Sequence, residues 1–232
     1  MSTNKAVISG DVIAFTSLEE IERSKVEGAL KEILSGLDTK FNGFGRIIKG
    51  DYIEYYLPNP KHALRAALLI KCYLKAIKLY QNHSKNKRVK LFKTHAIRLA
   101  VGIGKISRFD PQKGIIDGEA IYFSGRIINE ASSHANGKSL IKETLFVKTY
   151  SDKITNRLEP IFALLDQLIS KTTAKQCEVI YYKLMGLNEE TIAGKMKILQ
   201  PTVNQHSTSA GWNAIEKAVF NFENLIDFDL EE

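Results

Sequence analysis

The apolar residues of this 232-residue chain change period once. That change constrains the fold more than any other feature. Up to about residue 155, short apolar runs of strand length alternate with stretches of helical period. From Pro160 onward only the helical period remains. A chain with this order predicts a mixed α+β unit followed by an all-helical one, with the division at 1–155 and 156–232.

The first part predicts the order β-α-β-β-α-β-α-β. Lys5–Ile13 is apolar around Ser-Gly-Asp and reads as a buried strand ending at or just past Asp11. Ser17 with Glu20 three residues on predicts a capping box. The helix behind it runs to about Leu37, with Ile21, Val26, Leu30, Leu34 and Leu37 on its apolar side. Gly43–Ile48 and Tyr52–Leu57 predict a hairpin turned by Lys49-Gly50-Asp51. Asn59 caps a second helix, with Pro60 in its first turn and an end near Tyr80. The basic stretch 83–93 (Lys85, Lys87, Arg88, Lys90, Lys93) reads as a solvated loop or hairpin rather than an anion site. A strand is expected at His95–Gly104, a loop at 105–117, a helix at Gly118–Ala131, a strand with its turn at Ser139–Val147, and a linker at 150–157. Strands that return after helical crossovers point to a ferredoxin-like α/β sandwich.

The second part predicts helices at Pro160–Ile169, at Lys175–Met185 closed by Gly186, at Glu189–Met196, and a long one from Pro201 to about Leu225 before an acidic tail. Charge divides at the same place. The net +7 is the balance of +11 over residues 1–171 and −4 over 172–232. Cys72 and Cys177 have no second Cys or His at metal-ligand spacing, which predicts reduced thiols and a cytoplasmic setting. No apolar run reaches the roughly 18 residues a membrane helix needs, so no membrane association is expected.

Asp11 at a strand end and Asp51 at a hairpin tip are neighbours in a ferredoxin-like sheet. Two carboxylates placed so suit a hard divalent cation. Two such cations clamp the oxygens of a phosphoryl transfer. The competing reading is that each aspartate holds its own turn by hydrogen bonds.

Four segments in order resemble the class III nucleotide cyclase homology domain. They are DVIAFTSL (Asp11–Leu18), GFGRIIKGDYIEYYLPNPKHALRAALLI (Gly43–Ile70), HAIRLAVGIGKI (His95–Ile106) and GEAIYFSGRIINEASSHANGKSLIKETL (Gly118–Leu145). The resemblance implies Asp11 and Asp51 as ligands of Mg2+ or Mn2+. It implies Phe15, Thr16, Lys49 and Arg126 around a nucleotide, with Arg126 as the catalytic arginine if the domain turns over. It also implies a homodimer with its site at the interface. The chain departs from the family at Tyr122, where an asparagine is usual, at Ile47, where a lysine is usual, and at Gly102, where a histidine often stands. These departures favour nucleotide or metal binding over conventional cyclase turnover.

Residues 170–220 resemble the helix-turn-helix of sigma-factor region 4, through TTAKQCEVIYYKLMGLNEETIA and the turn into PTVNQH. That resemblance implies a DNA-reading helix with Gln200, Thr202, Asn204, Gln205, His206 and Ser209 at the major groove. Ile180, Leu184, Ile192, Met196, Ile198, Val203, Ala210, Ile215 and Trp212 read as core. The net charge of residues 172–222 is only +1, little for a phosphate-neutralising surface. The whole chain is similar to SatD-like bacterial proteins. Together these features predict a DNA-binding transcriptional regulator whose cyclase-like domain senses a nucleotide or metal. The alternatives are an active cyclase or other two-metal phosphoryl-transfer enzyme with a helical regulatory domain, and an interaction adaptor without DNA contact.

Overall fold

The computed structural model describes residues 4–79, 87–135 and 143–228. The chain is mixed α+β. Its main sheet takes strands β1 (Lys5–Val12), β2 (Phe44–Ile48), β3 (Tyr52–Leu57), β4 (Ile97–Gly104) and β7 (Leu145–Thr149) in the order β2-β3-β1-β4-β7. β1 is antiparallel to β3 and β4, β2 is antiparallel to β3, and only β4–β7 is parallel. All eight residues of the interior strand β4 are buried, which is why its sequence is apolar almost throughout.

The two faces of the sheet have different covers. Ala6, Ile8 and Val12 of β1, with Ile53, Tyr55 and Leu57 of β3, join the large core cluster with α1 (Glu20–Phe41) and α2 (Ala63–Lys75). The alternate residues face α4 (Glu119–Ala135) and the hairpin β5–β6 (Ile106–Asp110, Ile115–Gly118). Gly102 on β4 is required there. A Cβ at this position would lie 2.0 Å from the carbonyl oxygen of Ala120, so α4 can seat on the sheet only over a bare backbone.

Several elements differ from the sequence expectations, each for a visible reason. The segment 105–117 forms β5–β6 rather than a loop, because Phe109 stacks on Tyr56 at 4.1 Å and Ile106 and Ile116 join the outer cluster. The basic segment carries helix α3 (Lys87–His95), anchored by buried Val89 and Phe92 among exposed Arg88, Lys90 and Lys93. Lys85 and the strand start at Ser139 lie outside the described residues. The cap of α1 falls two residues later than Ser17–Glu20, as a Glu19–Glu22 capping box, because Phe15–Ser17 forms a 3-10 turn of its own. α2 ends at Lys75, short of Tyr80.

The expected linker at 150–157 is the first two turns of α5 (Asp152–Lys171), capped by Ser151. Pro160 lies inside this helix instead of opening it, because Ile154, Leu158, Phe162, Leu165 and Ile169 form one buried stripe along its length. α6 (Ala174–Leu184) and α7 (Glu189–Met196) lie close to their expected positions. The expected long helix is broken into α8 (Gln200–Ser209) and α9 (Trp212–Phe228) by Gly211, whose φ of 74° ends α8 in the left-handed region.

The expected division near residue 155 is crossed by one continuous core, with α2 packed directly on α6 and α5 on β7. A buried polar seam runs through it. Lys71 Nζ donates to Thr144 Oγ1 at 2.7 Å and to the Ile97 carbonyl at 2.9 Å, and pairs with Asp166 at 3.3 Å. Asp166 accepts from both the backbone N–H and the hydroxyl of Thr144. Lys75 holds the last carbonyls of α5, at Ile169 and Ser170. Among the described residues no helix is long and apolar enough to cross a membrane.

Candidate phosphate and metal face

The outer face of the sheet carries its polar residues in registered rows. Asp11 stands between Tyr52 of β3 and Arg98 of β4, and Ser9 between Glu54 and Ala100. The Val12 N–H donates to the Asp51 carbonyl at 3.0 Å, which ties the end of β1 to the hairpin tip and brings the two aspartates together. Lys49 and Gly50 both have positive φ, 55° and 80°, the backbone shape that a tight hairpin turn demands.

Asp11 is not free. One guanidinium nitrogen of Arg98 donates to both of its oxygens, at 3.1 and 2.9 Å, and the Ser132 hydroxyl of α4 donates at 3.3 Å. Even so, its pKa is raised. Burial outweighs the help from Arg98 and Ser132, and the nearby charge of Asp51 adds to the rise. Asp51 is raised as well, through burial. Arg98 is itself buried, and its Nε has no hydrogen-bond partner among the described residues. The rest of the face is linked by hydroxyls. Tyr52 lies beside Ser9, and Ser9 Oγ lies 2.8 Å from Ser124 Oγ of α4. Arg46 and Glu54 form an ion pair beside them.

The other expected nucleotide residues are spread more widely. Phe15 is half-buried against the core in its 3-10 turn, while Thr16 and Lys49 are exposed. On α4 the stripe Ser124, Ile128, Ser132 faces the sheet. Arg126 and Tyr122 lie on the solvent side, both exposed, so Arg126 is not beside the aspartates of its own chain. Tyr122 lies near Asp117 instead, which raises its pKa. Among the described residues no group of three or more His, Cys, Asp or Glu is assembled for a metal ion. Two neighbouring aspartates with raised pKa values suit one hard cation, but they supply only part of its oxygen shell.

In the C-terminal helices, α7 and α8 are joined by Lys197–Leu199, with Lys197 at φ 54°. They pack with α6 through Val179, Ile192, Ala193 and Val203. The residues expected to be core are buried or packed against it. Half-buried Trp212 lies under the ammonium of Lys183 at 5.6 Å. Gln205 and Ser209 are exposed on α8, and Thr202 and His206 are partly so. Gln200 and Asn204 are exposed but engaged, since both donate to the carboxylate of Glu189, at 2.9 and 3.4 Å. Lys183 pairs with the same carboxylate at 2.9 Å and helps hold its pKa low.

Sequence reasoning missed Arg98, Ser132 and Tyr52. Their only signal is register, because Arg98 lies directly across from Asp11 once β1 and β4 are paired.

No protein-family model matches the chain, and no curated protein matches it. Its neighbours among solved structures are class III nucleotide cyclase domains, weakly matched. A bacterial light-regulated adenylyl cyclase shares 16% identity at a TM-score of 0.42, over 62% of this chain and 75% of that one. A second such cyclase structure shares 14% at 0.43, over 62% of this chain and 43% of that one. The adenylyl cyclase CyaB from P. aeruginosa shares 15% at 0.33, over 55% and 72%.

Proposed function

We propose that the sheet unit binds a nucleoside polyphosphate together with Mg2+ or Mn2+ on its outer face. Asp11 and Asp51 would hold the cation. Two copies of the chain would pair so that Arg126 of one meets the phosphates held by the other. The observation that carries this reading is the under-neutralised aspartate pair. The bond from the Val12 N–H to the Asp51 carbonyl sets Asp51 beside the end of β1, burial raises both pKa values, and at Asp11 the charge of Asp51 adds slightly to the rise despite Arg98. A cation relieves that strain, and phosphate oxygens complete its shell. The strand order β2-β3-β1-β4 supports the ferredoxin-like part of the reading, and outward-facing Arg126 supports the homodimer. Class III-type turnover is the enzymatic form of the same site. Tyr122 in place of the family asparagine favours binding without it.

The test is incubation with each nucleoside triphosphate and Mn2+, read by thermal shift and by product formation. Mn2+-dependent binding that vanishes in Asp51→Ala supports the reading. Product in addition makes the chain an enzyme. No binding with any nucleotide overturns it.

A second reading, DNA binding by α8, has one observation in its favour. The N-terminal turn of α8 is solvent-exposed and its opposite side is locked by Val203 against Ile192. Such a helix-turn-helix would make the chain a transcriptional regulator. Against it, Glu189 places a carboxylate on two of the six base-reading candidates. Absence of retardation on genomic fragments at low salt would overturn this reading.

A further inference from the structure

The two cysteines, 105 positions apart in sequence, meet in the folded chain. Cys72 lies in α2 and Cys177 in the first turn of α6. Both are fully buried in the core where α2 packs on α6, close enough for each thiol to shift the titration of the other. Their surroundings are those of a reactive pair. The Thr172 hydroxyl lies 2.9 Å from Cys177 Sγ. The buried ammoniums of Lys75 and Lys71 face the pair, Lys75 fixed by the Ile169 and Ser170 carbonyls and Lys71 by Asp166. Most buried thiols are inert because an apolar shell disfavours the thiolate. Here the neighbouring Cys72 thiol has the largest effect, Thr172 and the two ammoniums add to it, and together they outweigh burial and bring the Cys177 thiol down to about 7. Cys72 is pushed the opposite way by the same contact and by burial, so it stays protonated. One cysteine is thus prepared as thiolate and the other as its thiol partner.

We propose that Cys72 and Cys177 form a reversible disulfide that clamps α6 to α2, with a peroxide as the two-electron oxidant. The Cys177 thiolate attacks one oxygen of hydrogen peroxide. The O–O bond breaks, the departing hydroxide takes a proton to become water, and Cys177 is left as a sulfenic acid. The Cys72 sulfur then attacks Cys177, the S–O bond breaks, and the Cys72 proton leaves with the hydroxyl as a second water. Two thiols and one peroxide give one disulfide and two waters. Peroxide would enter by opening of the first turn of α6, where Thr173 and Lys175 beside Cys177 are exposed. The bridge would join the sheet unit to the first helix of the α6–α8 group. It would close a loop long enough to restrict the unfolded chain strongly.

The test uses the full-length native chain treated with hydrogen peroxide, then alkylated and analysed by mass spectrometry. The expected result is loss of two hydrogens, a Cys72–Cys177 bridged peptide, a higher Tm, and full reversal by dithiothreitol. The native chain should also bridge faster than the urea-unfolded chain. In Cys72→Ser the reaction should stop at a sulfenic acid on Cys177, trapped by dimedone. In Cys177→Ser it should not start. Both variants are first checked for native circular dichroism. Bridging only after unfolding, or overoxidation of Cys177 with no bridged peptide in the wild type, overturns the proposal, and neither outcome depends on whether a variant folds.

Discussion

Asp166 and Asp11 are built from the same parts and end in opposite states. Each carboxylate has a buried cation, Lys71 or Arg98, and a hydroxyl, Thr144 or Ser132. Burial pushes both pKa values up. At Asp166 the charge of Lys71 and the two hydrogen bonds from Thr144 more than cancel that push, and the carboxyl ends below its ordinary range. At Asp11 burial outweighs Arg98 and the long Ser132 bond, and the charge of Asp51 adds slightly to it, so the carboxyl ends above its ordinary range. A satisfied buried pair holds a fold together. A pair left short of positive charge at the sheet face is where another cation would bind. Fold and candidate site are thus told apart by how completely each charge is answered.

The largest expected effect breaks the satisfied pair. Lys71→Met leaves Asp166 uncompensated and should destabilise the chain by about 3–5 kcal/mol in urea denaturation. Arg98→Met should cost well under half of that, because Asp11 is partly open to water. Equal costs would erase the distinction. Asp51→Ala should weaken Mn2+-dependent triphosphate binding by more than about tenfold, in keeping with loss of a direct ligand, while leaving the urea midpoint almost unmoved.

The pH dependence sharpens the contrast with two more carboxyls. Burial would raise Glu223, but His62 beside it and Arg65, paired at 2.8 Å, hold it at about 2, below its ordinary 4.5. A lowered carboxyl contributes stability above pH 4.5 that is lost as pH falls towards 2. Asp38 is raised by burial to about 6 from 3.8, and its Oδ1 has no hydrogen-bond partner among the described residues. Its contribution has the opposite sign, full below pH 3.8 and lost as pH rises through 6. Glu223→Gln should therefore lower Tm at pH 7 with little effect near pH 2, and Asp38→Asn should raise Tm at pH 7 with little effect near pH 3. Thermal melts across that range check both. The smallest effect is at the helical tip. Glu189→Gln removes a carboxylate from beside Gln200 and Asn204, and should tighten any DNA retardation roughly twofold to fivefold.

Much of the local structure was legible in sequence. The hairpin turn at Lys49-Gly50, the buried strands and the helices α6 and α7 follow from period, caps and glycines within a few residues. Errors came where a tertiary neighbour overrode the local signal. Polar-looking 105–117 pairs because Phe109 finds Tyr56. Pro160 sits inside α5 because the buried stripe around it outweighs one lost hydrogen bond. At the candidate site, the positions of Asp11 at a strand end and Asp51 at a turn were readable from motif and turn signals, whereas the neighbours Arg98, Ser132 and Tyr52 were not.

The sequence by itself determined where strands give way to helices, which residues form each apolar face, and the two aspartates at strand end and turn tip. These are local properties, set by side-chain periodicity and backbone preference over a few residues. Only the tertiary structure decided that Arg98 answers Asp11, that Lys71 and Asp166 seal the two halves into one core, that Arg126 faces away from the aspartates, and that Cys72 touches Cys177. Those pairings depend on strand register and helix docking between distant segments, where a shift of one residue would turn each side chain to the opposite face.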